Sequence, residues 1–192
     1  MNNKKEKLLP FSLTLFVIAL DQITKMLVVK AAAPGSVIAD VFGNDLLCIW
    51  HVRNKVIAFS IGSSVPEFLR PFVFIVIPLA VLVFLAYYYL KCSDFTKLQR
   101  WAIAGIIGGG IGNLIDRIFR SSGVVDFISI KFFGLLPQSA QDWIQRIGIN
   151  GFSRWPTFNL ADASVVVCVV IWLISIFAAP NSINEKTKGT EK

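Results

Sequence analysis

The sequence predicts a mainly α-helical membrane protein, with four transmembrane helices, a small strand-bearing region on the extracytoplasmic side and an interfacial helical insertion. Three observations predict it. The 192 residues are 55% hydrophobic and only 16% charged, against about 25% charged in soluble domains. The mean hydropathy is +0.65, and the apolar residues gather in runs of about 20, the length that crosses a bilayer core. The basic residues behind the net charge of +7 sit at the ends of those runs. They form no aromatic-interleaved stripe, which argues against nucleic acid and for anionic headgroups. One membrane domain over 1–192 is expected.

The first span is expected over about 8–29, after a lysine-rich start (Lys4, Lys5, Lys7) and with no small-residue cleavage site, so it reads as retained. It contains Asp21 and Lys25, four apart and therefore on one helix face. Segment 31–67 changes texture: short apolar patches broken by Pro34, Gly35, Gly43, Asn44, Gly62 and Pro66 predict strands and turns. The second span, about 68–90, carries Pro78, read as a kink, and Tyr87, Tyr88 and Tyr89, read as an aromatic belt.

The third span, about 101–119, holds two small-xxx-small pairs, Gly105 with Gly109 and Gly108 with Gly112, that permit close helix approach. It ends in Asn113, Asp116 and Arg117, with Arg117 read as a counter-charge to Asp116. A second long connection, about 120–157, contains Asp126, and the fourth span runs over about 159–178 from Asn159, Ala161 and Asp162. Basic residues in both tails and in the 91–100 loop place these on the cytoplasmic side. Segments 31–67 and 120–157 then lie outside.

The candidate chemistry rests on carboxylates. Asp126 lies in Val124-Val125-Asp126-Phe127-Ile128, where desolvation raises a carboxyl pKa. Asp162 stands three residues after Asn159 at a helix start, where an Asn cap and free N–H groups favour an anion. Each also has an ordinary reading, a turn aspartate and a capping arrangement. Together they have the makings of a proton-sharing acid/base pair. One histidine, His51, and three scattered cysteines, Cys48, Cys92 and Cys168, predict neither a metal site nor a disulfide framework. Membrane carboxylates alone also fit an ion- or proton-relaying transporter subunit or a structural scaffold.

Read together, Asp21-Gln22-Ile23-Thr24-Lys25, Arg53-Asn54 with Ala58-Phe59-Ser60, Gly108 through Arg117, Val124-Val125-Asp126-Phe127 and Phe158-Asn159-Leu160-Ala161-Asp162 resemble the bacterial lipoprotein signal peptidase (signal peptidase II) family. The resemblance spans nearly the whole chain. It implies a multi-pass aspartic endopeptidase of the bacterial inner membrane that needs no cofactor. Such an enzyme cleaves diacylglyceryl-modified prolipoproteins just before the lipidated cysteine, at the outer face; this chain is itself expected to work as a monomer among membrane lipids. It implies Asp126 and Asp162 as the catalytic dyad, Asn54, Asn113, Asp116, Arg117, Asn159 and Ala161 as supporting residues, and Asp21 and Lys25 as the first-span motif. It also implies a small β-cradle over 31–67. The chain departs from the family pattern at Val56, where glycine is usual. It also departs in a longer stretch between Asp126 and Asp162, where Leu135, Leu136, Trp143, Ile144 and Ile147 read as an amphipathic interfacial helix.

Overall fold

Four helices long and apolar enough to cross a membrane dominate the computed structural model, which describes residues 4–54, 65–131, 136–146 and 154–178. Val56, the Ala58–Ser60 motif, Leu135 and Ile147 lie outside the described residues. Helices α1 (Lys4–Leu8) and α2 (Phe11–Ala31) are followed by strands β1 (Val37–Asp40) and β2 (Leu47–Asn54). Then come α3 (Ile77–Lys91), α4 (Lys97–Phe119), strand β3 (Val124–Ile130), the short helix α5 (Gln138–Arg146) and α6 (Leu160–Ala178).

Helix α4 is the central post. It starts at a capping box: Gln99 N donates to Thr96 Oγ1 at 3.2 Å and Thr96 N to Gln99 Oε1 at 3.0 Å, satisfying two otherwise free N–H groups. Its apolar window is 61% buried, against 22%, 11% and 17% in the other three spans, whose outward faces carry Leu15, Phe16, Phe84 and Phe177.

The glycines explain how α4 serves three neighbours. A Cβ on Gly105 or Gly109 would strike Cys168 or Ala161 and Val165 of α6, one on Gly108 or Gly112 would strike Thr14 and Val17 or Asp21 of α2, and one on Gly110 would strike Leu82 of α3. The two small-xxx-small pairs thus face different helices. Bare backbone is what lets both approach.

Pro78 lies in the first turn of α3, just after an irregular turn. With no N–H to close the turn before it, the chain takes one wide π turn, Phe72–Val76, and α3 runs regularly afterwards with Pro78 in its first turn. The tyrosine belt needs correction. Tyr87 and Tyr88 are exposed, but Tyr89 is fully buried. It packs edge-on to Phe11 with centroids 5.1 Å apart and donates its hydroxyl to Lys7 O at 2.6 Å. Consecutive helix residues point about 100° apart, so three tyrosines in a row cannot share one face.

The sheet has the order β1-β2-β3, all antiparallel. Its third strand comes from beyond α4. Gly123, at φ 94°, makes the sharp exit that a side chain would oppose, and Val124–Ile130 then pairs with β2 in a register that sets Asn54 opposite Val124 and Val52 opposite Asp126. Phe158 closes the far edge of β3 through Phe158 N to Ile128 O at 3.1 Å and Ile128 N to Phe158 O at 2.8 Å. Val125 and Phe127 pack on Val28 of α2, so Asp126 between them faces the other side of β3.

Candidate active site

Asp126 is 3% exposed. Its Oδ1 accepts from Asn159 Nδ2 at 2.7 Å and its Oδ2 from Asn54 Nδ2 at 2.9 Å. Burial in the sheet pushes its pKa from 3.8 up to about 6. The Asn54 hydrogen bond opposes the rise, the charge of Asp162 adds to it and the Asn159 bond opposes it again.

Asp162 sits in the first turn of α6 in a reciprocal cap. Asp162 N donates to Asn159 Oδ1 at 3.0 Å, and Asn159 N donates back to Asp162 Oδ2 at 3.1 Å. The same asparagine is therefore a helix cap and a donor to the other carboxylate. The capping arrangement expected of this motif is present.

Asn113 joins the two acids. Its Nδ2 donates to Asp162 Oδ1 at 2.7 Å, while its Oδ1 accepts from Asn159 Nδ2 at 3.1 Å and from Lys25 Nζ at 3.0 Å. An ammonium only donates. Lys25 therefore fixes which end of the Asn113 amide is oxygen, and so which end faces Asp162.

Lys25 is held in turn by Asp21 at 2.8 Å and Asp116 at 3.2 Å, all three side chains fully buried. Asp21 Oδ1 accepts from Ala161 N at 3.1 Å, and Asp116 Oδ2 from Val125 N at 3.0 Å. The lysine network thus grips the start of α6 and the start of β3, the elements that carry Asp162 and Asp126. Ala161 is fully buried with its carbonyl against Gly109 and its Cβ close to where a Gly112 Cβ would stand, which leaves little room for a larger residue.

The counter-charge of Asp116 is not Arg117. Besides Lys25, it is Arg120, whose Nε lies 3.0 Å from Asp116 Oδ1, because residues four apart share a helix face and adjacent ones do not. Arg117 lines a cleft of about 790 Å³ together with Asn54, Asn113, Asp126 and Asp162. The rest of that cleft is mostly apolar, with Pro78, Val81 and Leu82 from α3 and Val165–Val167 from α6. Residues 155–158 close one side.

Two contributors went unassigned in the sequence reading. Gln22 donates from Nε2 to Asp21 Oδ2, Asp116 Oδ1 and Gly112 O at 3.0–3.1 Å, and Arg120 was legible as the i+4 partner of Asp116. His51 is buried with Nδ1 2.7 Å from Ala32 O. Among the described residues no group of three or more His, Cys, Asp or Glu side chains stands close enough to hold a metal ion.

With this geometry in place, the comparison with known proteins is decisive. The family model for signal peptidase (SPase) II matches residues 13–178. The chain belongs to the signal peptidase II family. It is a membrane aspartic peptidase of lipoprotein processing. A lipoprotein signal peptidase of Treponema denticola is 46% identical over 168 residues, 88% of this chain and 88% of that protein. One from Treponema pallidum is 38% identical over 98% of this chain and 93% of its own length. The same fold is met in a solved bacterial membrane enzyme, which matches with a TM-score of 0.67 and 24% identity over 95% of this chain and 92% of that one.

Proposed function

We propose that this chain removes the signal peptide from diacylglyceryl-modified prolipoproteins, cutting just before the lipidated cysteine with a water activated by Asp126 and Asp162. The observation that carries the proposal is the shared cleft. The two carboxylates line it together and are joined through Asn113 and Asn159. Asp126 has a proton affinity near neutrality, as a group that exchanges protons during turnover needs.

In this mechanism the pair holds one proton between its two members. The ionised carboxylate takes a proton from water as it attacks the scissile carbonyl, and the protonated one donates to the developing oxyanion. Acid/base catalysis of this kind accelerates a reaction by about 10² to 10⁴. Lys25 and the asparagines keep both carboxylates oriented without a metal or cofactor. Arg117 and the Asn54 amide face the cleft, where they hold the substrate backbone.

The apolar flanks formed by α3 and α6 suit acyl chains that stay in the bilayer while the peptide crosses the cleft. The positive-inside distribution supports both termini in the cytoplasm and the sheet-bearing end outside. Strands β1 and β2 then belong to the outer cradle, and the protein works as one membrane domain and as a monomer. The test is turnover by purified protein of a synthetic prolipoprotein with and without the diacylglyceryl group. Cleavage of the lipidated form alone, at the bond before the cysteine by mass spectrometry, is expected. Equal cleavage of both forms, or of neither, would overturn the substrate assignment.

A further inference from the structure

Arg154 lies outside the carboxylate network, yet it makes more long-range contacts than its place in a connecting segment requires. Its Nη2 donates to the main-chain oxygen of Asp45 at 2.7 Å and also to the Asp45 carboxylate. Its Nη1 donates to Ser129 Oγ at 3.0 Å, Nη2 lies 3.7 Å from Cys48 Sγ, and the guanidinium stands 5.3 Å from the centre of the Trp50 ring. One planar fork therefore ties together the β1–β2 hairpin, β2, β3 and the segment entering α6. Fixed donor geometry of this kind is what arginine supplies and lysine does not.

The hairpin side is built to receive it. Asp45, at φ 62°, is the one non-glycine residue with positive φ among the described residues, a conformation that Asp and Asn tolerate better than most. Its carboxylate also accepts from Cys48 Sγ at 3.3 Å and pairs with Lys131 at 3.4 Å. The Cys48 bond first, against an opposing effect of desolvation, and then the charges of Arg154 and Lys131 hold its pKa below the usual range. The acceptor is ionised at neutral pH.

On the other side, Arg154 directly precedes residues 155–158, which wall the cleft. That wall is joined to β3 through Trp155 N to Ile130 O at 2.8 Å and through Phe158, and Pro156 between them has no N–H to add. The catalytic carboxylates have holders of their own: Asn159, Asn113, Asn54 and the α6 cap. None of those bonds passes through Arg154.

We propose that the Arg154–Asp45 pair is a latch that positions the 155–158 wall of the cleft, and so sets how tightly substrate is held rather than how fast it is cut. Arg154 is a positioning residue in this account, which rests on the cleft being the substrate site.

Arg154→Gln and Asp45→Asn, the latter keeping a residue suited to positive φ, should each raise KM for the lipidated substrate about three- to fivefold, the upper range for losing a half-exposed ion pair. kcat should stay within about twofold. The double variant should be no worse than the worse single one, because each breaks the same contact. Arg154→Lys should recover part of the loss. Unchanged KM, a fall in kcat alone, or additive losses would overturn the latch. Hydrogen exchange reads the same device without turnover. The Trp155 and Phe158 amides should exchange faster in Arg154→Gln while those of α4 keep the wild-type rate, and unchanged exchange at Trp155 and Phe158 would overturn the latch even if the substrate assignment failed.

Discussion

Replacing Lys25 with methionine removes a charge but little volume, and its cost follows from the geometry. The ammonium lies 2.8 Å from Asp21 and 3.2 Å from Asp116, with all three side chains fully buried. Asp116 would keep Arg120. Asp21 would keep only the neutral donors Gln22 Nε2 and Ala161 N, a buried carboxylate with no cation in contact. Breaking a buried pair from one side costs about 3 to 5 kcal/mol, and the surviving Arg120 pair argues for the lower end, about 3 kcal/mol. For a chain of this size that corresponds to a Tm lower by roughly 6–12 °C. Thermal unfolding of detergent-solubilised protein measures it. Asp21→Asn on the Lys25→Met background should return at least half of the loss, because it removes the stranded charge. A Lys25→Met loss below about 1 kcal/mol, or no recovery in the double variant, would refute the reasoning that this network is a charge-balanced brace.

The other expected outcomes concern the carboxylates and the helix contact beneath them. Asp126 has its pKa raised from 3.8 to about 6, so the stability tied to its protonated form is complete below about pH 4 and is lost as pH rises through about 6. At about 1.4 kcal/mol per unit this approaches 3 kcal/mol; Asp126→Asn should lack the decline, and parallel pH profiles of the two proteins would contradict the shift. The Asn54 bond favours the ionised form, so Asn54→Ala should move the high-pH limb of kcat/KM to higher pH. A limb that stays in place or moves down would contradict that role. Gly109→Ala would drive a Cβ onto the Ala161 carbonyl oxygen and to 2.8 Å from Val165 Cγ2. It should cost about 1 to 3 kcal/mol and most of the activity, whereas full activity would mean that α4 and α6 can separate without disturbing Asp162.

The spans were legible because each writes its signal locally, as a run of apolar residues long enough for a bilayer, and the α6 cap was legible because Asn159 and Asp162 are three apart. Strand β3 was harder to read. Val124–Phe127 is buried on both sides, so the run lacks the alternation that marks a strand with one wet face, and its partner β2 lies some seventy residues upstream. Arg117 was read as the partner of Asp116 because adjacency in sequence stood in for adjacency on a helix. The orientation of Asn113 by Lys25, across 88 residues, and the meeting of Arg154 with Asp45, across 109, have no local signature. They exist only once α2 packs on α4 and the sheet closes.

The claim at the centre of this account is that Asp126 and Asp162 act as one pair, and the most direct test is single-turnover cleavage of a diacylglyceryl prolipoprotein by the wild type, Asp126→Asn and Asp162→Asn proteins. Folding should be checked by thermal unfolding and substrate retention by binding. Both variants should stay folded, still bind substrate, and lose cleavage by at least about 10², with the double variant no slower than the slower single one. Substantial cleavage by either folded variant, or losses that multiply in the double variant, would contradict the pair.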